Sequence, residues 1–545
     1  MIETASYTVD TLSQRRRGIY YTPPLAAQAM AAWAVRSNTD RVMEPCFGSG
    51  VFLAAIKQVS AARQFALVET HGVELMEAAH GMALATNLIE ARHAILGDFL
   101  GVKPFHVDAV IGNPPYLRLR SLPENQLKRA LSAAREATGV SMDTSGSVWM
   151  AFVLHATRFL APDGRMTLVL PHEFTHVRYA RALWSFLGDH FGSLRIARVR
   201  ERLFPDIMQE AIILFADHHG GATNVVDFEA YQTTQGLVGG APIVRKQLSL
   251  NEIVTGGRPF LKALLPTELT ELLNNRLSPL TVPVPESCTF NIGYVSGHKA
   301  FFHPDQDTIN KFQLATTSLR SALTSSRELA GVGIRTSTMA VDNTRKLFYP
   351  NEELSSAEKR YIRAGEQDGV DSGYKCRNRE PWYKVPDVRV PSCMLSVFGA
   401  TPTLVANDGR LVASNSLLCG FLRATCTVEQ FLAAWYTSLT LLSCELQVHS
   451  LGGGVLVLIP GEVAAVRTPA PSSLSTQHIG ALDEALKLGT GNPYLLGDES
   501  VLRQSMKLTV KEVELIQEGV RLLANWRSAD TTEDIQLPLG ENIEE

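Results

Sequence analysis

The chain has 545 residues, 45% of them hydrophobic and 19% charged, with a formal net charge of −4. At roughly 150 residues per domain this is a folded globular protein of two to four domains, and the proportions exclude a disordered or fibrous chain. No apolar run approaches the roughly 18 residues of a membrane span, and Met1–Gly18 carries no apolar export core.

Seven scattered cysteines without a CxxC pair suit neither a disulfide framework nor a zinc cage, so a monomer in a reducing cytoplasm is expected. The net charge hides an uneven distribution. Residues 101–200 hold 13 Lys+Arg against 7 Asp+Glu, whereas residues 401–545 hold 9 against 17. The basic block includes Arg118, Arg120, Lys128, Arg129 and Arg135, which permits a polyanionic partner but equally describes a solvated face.

Along the first 220 or so residues, short apolar runs alternate with helical patterns. Strands are predicted at Arg41–Glu44, Gly72–Leu75, Ala94–Leu96, Val107–Ile111, Met166–Leu170, Leu194–Val199 and Ala211–Phe215. Helices are predicted at Gly50–Val59, Ala78–Glu90 and Ser147–Leu160. Such alternation means βαβ units and a mostly parallel sheet, whose ligands bind beyond the carboxyl ends of the strands. Past Phe215 the rhythm stops in a Gly- and Thr-rich stretch, 217–242. An irregular α+β domain is expected over 251–530, ahead of an acidic tail at 531–545. Its clearest elements are helices at Leu264–Asn275 and Val428–Leu442 and strands at Met394–Phe398, Thr403–Val405 and Val455–Leu458.

Chemistry-bearing residues follow the early strands. Glu44-Pro45-Cys46-Phe47-Gly48-Ser49-Gly50 ends the first in an acid and a glycine turn, where Gly48 and Gly50 let a ligand approach the backbone. Leu53 replaces the third glycine of a dinucleotide fingerprint, so an amino-acid or sulfonium ligand suits the turn better than a pyrophosphate. A plain tight turn is an equal reading. Glu74, ending the second strand, is placed to accept from ribose hydroxyls, and Asp98, after the third, from an adenine amine. The fourth strand runs into Asn113-Pro114-Pro115-Tyr116. Its prolines stiffen the backbone and remove two N–H donors. The Asn113 side-chain oxygen and the Pro114 carbonyl can then accept both hydrogens of a planar exocyclic amine. Tyr116 offers a face for stacking the heterocycle.

With these motifs in this order, the sequence resembles the gamma-class N6-adenine-specific DNA methyltransferases of type II restriction–modification systems. The resemblance covers residues 15–217 best. It implies a Rossmann-like class I S-adenosylmethionine-dependent methyltransferase domain at 1–250 and a C-terminal target-recognition domain. It further implies that Tyr20, Tyr21 and Thr22 close over the methionine end of the cofactor, with Glu44, Pro45 and Cys46 lining the same pocket and Pro115 against the cofactor. Phe152 is similar to the family's aromatic that stacks on cofactor adenine, although an ordinary core phenylalanine fits its place nearly as well. Phe204, in Arg202-Leu203-Phe204-Pro205, is similar to the residue that pairs with Tyr116 around an extruded adenine.

Beyond the first domain, Asn291–Gly297, Tyr374–Tyr383 and the glycines at 452–454 with Pro460 look like the family's target-recognition region. There Lys375, Arg377 and Arg379, interleaved with Tyr374 and Trp382, suit phosphate and base contact, or a structural aromatic cluster with solvated charges. The expected activity is methyl transfer to N6 of a flipped adenine in double-stranded DNA bound between the two domains. It would protect that DNA from a cognate restriction endonuclease not stably bound. Cytosine N4 is the chemical alternative, and protein glutamine N5 a more distant one. His172-Glu173-Phe174-Thr175-His176 spells the HExxH zinc signature, but it follows a strand and a proline instead of lying on a helix, so no metal is expected.

Overall fold

The structure is a computed structural model that describes residues 22–65, 68–139, 142–204, 210–339, 344–451, 454–489 and 492–528. It divides into two compact units, Met1–Leu264 and Leu265–Glu545.

The first unit is built on a nine-stranded sheet in the order β3-β2-β1-β4-β5-β7-β6-β8-β9. Its strands are β1 (Arg41–Glu44), β2 (Glu69–Glu74), β3 (Ala94–Leu96), β4 (Val107–Gly112), β5 (Leu160–Pro171), β6 (Phe191–Val199), β7 (Ala211–His219), β8 (Val225–Tyr231) and β9 (Val244–Ser249). The β3-β2-β1-β4-β5 half is parallel. β7 then inserts antiparallel between β5 and β6. Successive strands run outward from β1 to β3, and β4 then returns to the other side of β1. The switch point therefore lies between β1 and β4, the position where open α/β sheets bind ligands.

The helices are α1 (Pro24–Ala34), α2 (Val51–Ala62), α3 (Glu77–Ala85), α4 (Glu124–Thr138), α5 (Val148–Thr157), α6 (Arg181–His190), α7 (Leu250–Thr255) and α8 (Pro259–Lys262). α1 and α2 bury Ala27, Met30, Ala31, Phe52 and Ile56 against Val42, Ala109, Ile111, Val169 and Ile213 of the sheet. All ten residues of α5 are buried, as expected of a helix apolar on every side. Arg165 of β5 fixes the entry to β1: it donates to Ala34 O at 2.6 Å and pairs with buried Asp40. An unpaired charge there would be costly, and the pair removes that cost.

The sheet extends further than the sequence rhythm indicates. β8 and β9 lie in the stretch read as irregular, because β9 is an edge strand whose burial merely alternates, leaving a weak apolar signal. Residues 250–264 also belong to the first unit: Phe260 packs 5.6 Å from both Trp184 and Phe228.

The second unit is α+β, as expected. An antiparallel sheet joins Cys288–Ile292, Leu417–Leu422, Cys393–Ser396 and Leu404–Ala406. The long helical pattern at 428–442 is two helices, Val428–Trp435 and Ser438–Gln447. Thr437 breaks it by capping the second helix at Thr440 N. The helix Val510–Arg527 is tied to the unit by a buried ion pair, Arg527 to Glu445 at 2.6 Å. Among the described residues no helix is long and apolar enough to cross a membrane.

Candidate active site

The ends of β1, β2 and β4 carry most of the residues singled out above. β1 delivers Glu44, buried at the sheet's end, and then the turn through Gly48 (φ +48°) to Gly50 (φ +76°). Both glycines lie in the left-handed region that disfavours a side chain. They differ in surroundings. A Cβ on Gly50 would meet Leu88 Cδ1 at 2.6 Å, whereas one on Gly48 would point into open space. The open side of the turn is therefore at Gly48, while Gly50 serves as the N-cap of α2.

Glu74 crosses from β2 to this turn, accepting from Gly48 N and Met76 N at 2.8 Å each. Its sequence-based role was on a ribose; in the protein it also bridges two strand-end turns. Gly97 N donates to the Glu74 carbonyl at 2.8 Å, which positions the next residue, Asp98. Asp98 accepts from Leu100 N at 3.1 Å and from Arg129 of α4 at 3.2 Å. Of the basic block, Arg118, Lys128 and Arg129 thus face acids: Glu173, Glu124 and Asp98 respectively. Arg129 as the partner of Asp98 was not foreseen, since nothing local in the sequence links residues 31 apart.

β4 delivers Asn113 and its two prolines beside the glycine turn. Cys46 Sγ donates to Asn113 O at 3.1 Å, and Asn113 Nδ2 donates to Thr22 Oγ1 at 3.3 Å. Thr22 is buried. Its contact turns the amide nitrogen of Asn113 one way and the carbonyl oxygen the other. Pro114 is buried, and Pro115 and Tyr116 are half-buried. Tyr116 packs against the apolar cluster that includes Phe204, so these two rings share one cluster, with Phe204 only 4% exposed. Phe152 is buried on α5 beside Phe99, with ring centroids 5.3 Å apart. It therefore adjoins the Asp98 turn through Phe99. Tyr20 and Tyr21 lie outside the described residues, as do Pro205, Gln209, Gly452, Gly453 and the tail at 531–545.

The electrostatics of this pocket favour a cation. Burial pushes the Glu44 carboxyl well above its usual range, and the Glu74 charge adds to that. Oε2 of Glu44 is buried and has no hydrogen-bond partner among the described residues. Burial, then Glu44 and Glu74, likewise push the Cys46 thiol up, which suits packing and disfavours a nucleophilic thiolate. Two acids, one lacking a partner, beside a glycine turn with open space fit the ammonium and sulfonium charges of S-adenosylmethionine.

The HExxH residues sit in a single 3-10 turn, His172–Thr175, instead of on one face of an α-helix. Burial, then Arg198, His176 and Arg258, hold His172 well below the usual imidazole range. Glu173 accepts from Tyr179 at 2.6 Å.

In the second unit, a cavity of about 710 Å³ is lined by Asn291, Tyr294, Tyr374, Lys375, Arg379 and Arg389 among others. Tyr374 is 68% exposed, with Lys375 Nζ at 5.8 Å and the Arg377 guanidinium at 5.4 Å from its ring centroid. Lys375 and Arg377 are exposed. Arg379 is spent internally, donating to Ser296 O at 2.8 Å and also to Val295 O. Trp382 packs 5.1 Å from Phe301 and donates to Glu366 at 3.2 Å. Arg389 was missed in the sequence because it lies outside the aromatic run.

Residues 7–177 match the N-6 DNA Methylase family. Residues 257–502 match the C-terminal domain of the type II methyltransferase M.Eco57I. The chain is 24% identical over 442 residues to the type II methyltransferase M.XamI of Xanthomonas campestris pv. amaranthicola, covering 75% of this chain and 78% of that protein. It is 20% identical over 432 residues to the type II methyltransferase M.AccI of Acinetobacter calcoaceticus, covering 73% and 75%. Among solved structures it is similar to the type IIG restriction endonuclease BpuSI, with a TM-score of 0.45 and 14% identity over 96% of this chain and 68% of that one. With both family matches in this order, the chain belongs to the N-6 DNA methylases of the type II methyltransferase kind.

Proposed function

We propose that this chain, a type II methyltransferase by family, transfers a methyl group from S-adenosylmethionine to N6 of an adenine rotated out of a specific double-stranded DNA sequence. Such modification would shield the sequence from a cognate nuclease. The observation that carries the reading is the junction of two strand ends: the Asn113 loop is joined to the Glu44–Gly50 turn through Cys46, 3.1 Å from Asn113 O. An amine-accepting group and a cation-accepting pocket thereby sit on adjacent strands.

The cofactor supplies a methyl group on a positively charged sulfur. Glu44 and Glu74 would hold its charged end, and Asp98 its adenine, beside the buried Phe152. An adenine in a duplex buries its amine in base pairing and must be unstacked, at a cost of a few kcal/mol. Tyr116 and Phe204 would offset part of that cost by stacking. The Asn113 side-chain oxygen and the Pro114 carbonyl would accept the two amine hydrogens, fixing the amine's orientation and drawing the nitrogen lone pair out of the ring. Orientation and two acceptors are what the protein contributes. Lys375 and Arg377, exposed around Tyr374, support contact with phosphates and bases.

The test is methyl transfer with the purified chain, labelled S-adenosylmethionine and duplex DNA, followed by digestion to nucleosides. Label in N6-methyladenine is expected. Label in N4-methylcytosine would move the acceptor to cytosine, and no transfer to any duplex would refute the reading.

A further inference from the structure

At the opposite end of β2 from Glu74, three metal-ligand side chains converge on one face of the sheet. Glu69 and His71 are two residues apart on β2, so both leave the same face. β2 and β3 run parallel with Gly72 opposite Ala94, which brings His93, one residue before β3, alongside His71. The two imidazole centroids are 4.4 Å apart, and His71 Nε2 lies 2.7 Å from Glu69 Oε1. One ligand atom from each of the three lies within 4.8 Å of the other two. Phe105 walls one side, 4.9 Å from His71. Both histidines are half-buried and Glu69 is exposed. Two cations are nearby, Arg41 and Arg92, and Arg92 is held by Glu90 at 2.8 Å.

We propose that Glu69, His71 and His93 bind a first-row divalent ion of the zinc type, which staples the edge strand β3 to β2. Two imidazoles and a carboxylate, with water in the fourth position, are a familiar three-ligand set for Zn²⁺. Bonds of about 2.1 Å place tetrahedral ligand atoms about 3.4 Å apart, a spacing reached when exposed Glu69 changes rotamer. Burial, then His71 and Arg92, lower the proton affinity of His93, which keeps that ring neutral and able to ligate at neutral pH. At about 3.3 Å per residue the site lies about 16 Å along β2 from Glu74, too far to touch reacting groups. It acts on the frame: β2 ends in Glu74, and β3 leads into Asp98.

The experiment is calorimetric titration of ZnCl2 into the tag-free full chain after chelator treatment, with thermal melting alongside. One ion per chain, bound at micromolar or lower concentration with a raised Tm, is expected. His71→Ala and His93→Ala should each abolish both effects, whereas the double variant His172→Ala/His176→Ala should keep them. Circular dichroism of the metal-free variants, matching the metal-free parent, separates loss of a ligand from loss of fold. Co²⁺ should give a tetrahedral visible spectrum in the parent alone. Absence of saturable binding, binding only at millimolar zinc, or binding unchanged in His71→Ala/His93→Ala would each overturn the site.

Discussion

Replacing Asn113 by alanine removes the side-chain acceptor proposed for the target amine while disturbing little else. Its one described side-chain hydrogen bond is the 3.3 Å contact to Thr22. Losing such a bond costs about 1 kcal/mol, a fall in Tm of roughly 2–4 °C for a unit of this size. The catalytic cost is larger. As methyl transfer proceeds the amine gains positive charge, and an acceptor aimed at developing charge contributes about 2.7–4 kcal/mol, or a factor of about 100–1000 in kcat. Asn113 is half-buried, so solvent replaces part of its contribution and the lower end, about hundredfold, is expected. Cofactor affinity should stay within about threefold, because Glu44 and Glu74 are untouched. The assay is single-turnover transfer of labelled methyl to duplex DNA, with cofactor binding measured separately by calorimetry. A variant that turns over within threefold of the parent, or that loses cofactor binding as severely as turnover, would refute the assigned role.

The two glycines of the turn should separate cleanly. Gly48→Ala incurs only the left-handed strain, about 1–2 kcal/mol, and should weaken cofactor binding more than it lowers Tm. Gly50→Ala adds the clash with Leu88 and should lower Tm further; equal melting of the two variants would contradict this. Glu44 holds its proton to a higher pH in the folded chain than when unfolded, so its favourable contribution is present in acid and lost as pH rises through the raised value. Glu44→Gln should therefore melt like the parent in acid and above it from neutral pH upward, while losing cofactor affinity. Calorimetry of the parent in buffers of different ionisation heat should show proton release on cofactor binding. Lys375→Ala and Arg377→Ala should each reduce the slope of log affinity for DNA against log salt by about 1. An unchanged slope would remove these residues from the interface.

The early strands and the motifs at their ends were legible because buried parallel strands leave short apolar runs, and acids, glycines and prolines mark where those runs stop. β1 and β3 match their sequence spans, and β2 and β4 extend them slightly. β8 and β9 were not legible, since near an edge the apolar pattern thins. Partners far apart in sequence were hidden for a different reason: Arg129 reaches Asp98 and Thr22 reaches Asn113 only through the fold. The Tyr374–Tyr383 run announced cations and aromatics together. Its sequence could not separate Lys375 and Arg377, which stay exposed, from Arg379, whose guanidinium is occupied by two carbonyls, or Trp382, which packs on Phe301.

The central claim is that the Asn113 loop grips an adenine amine. Its most direct test is modified-base sequencing of DNA from cells expressing the chain, beside cells expressing Asn113→Ala. N6-methyladenine at one recurring sequence, present with the parent and absent with the variant, is the predicted result. Methylation confined to cytosine, or an undiminished adenine signal with the variant, would contradict it.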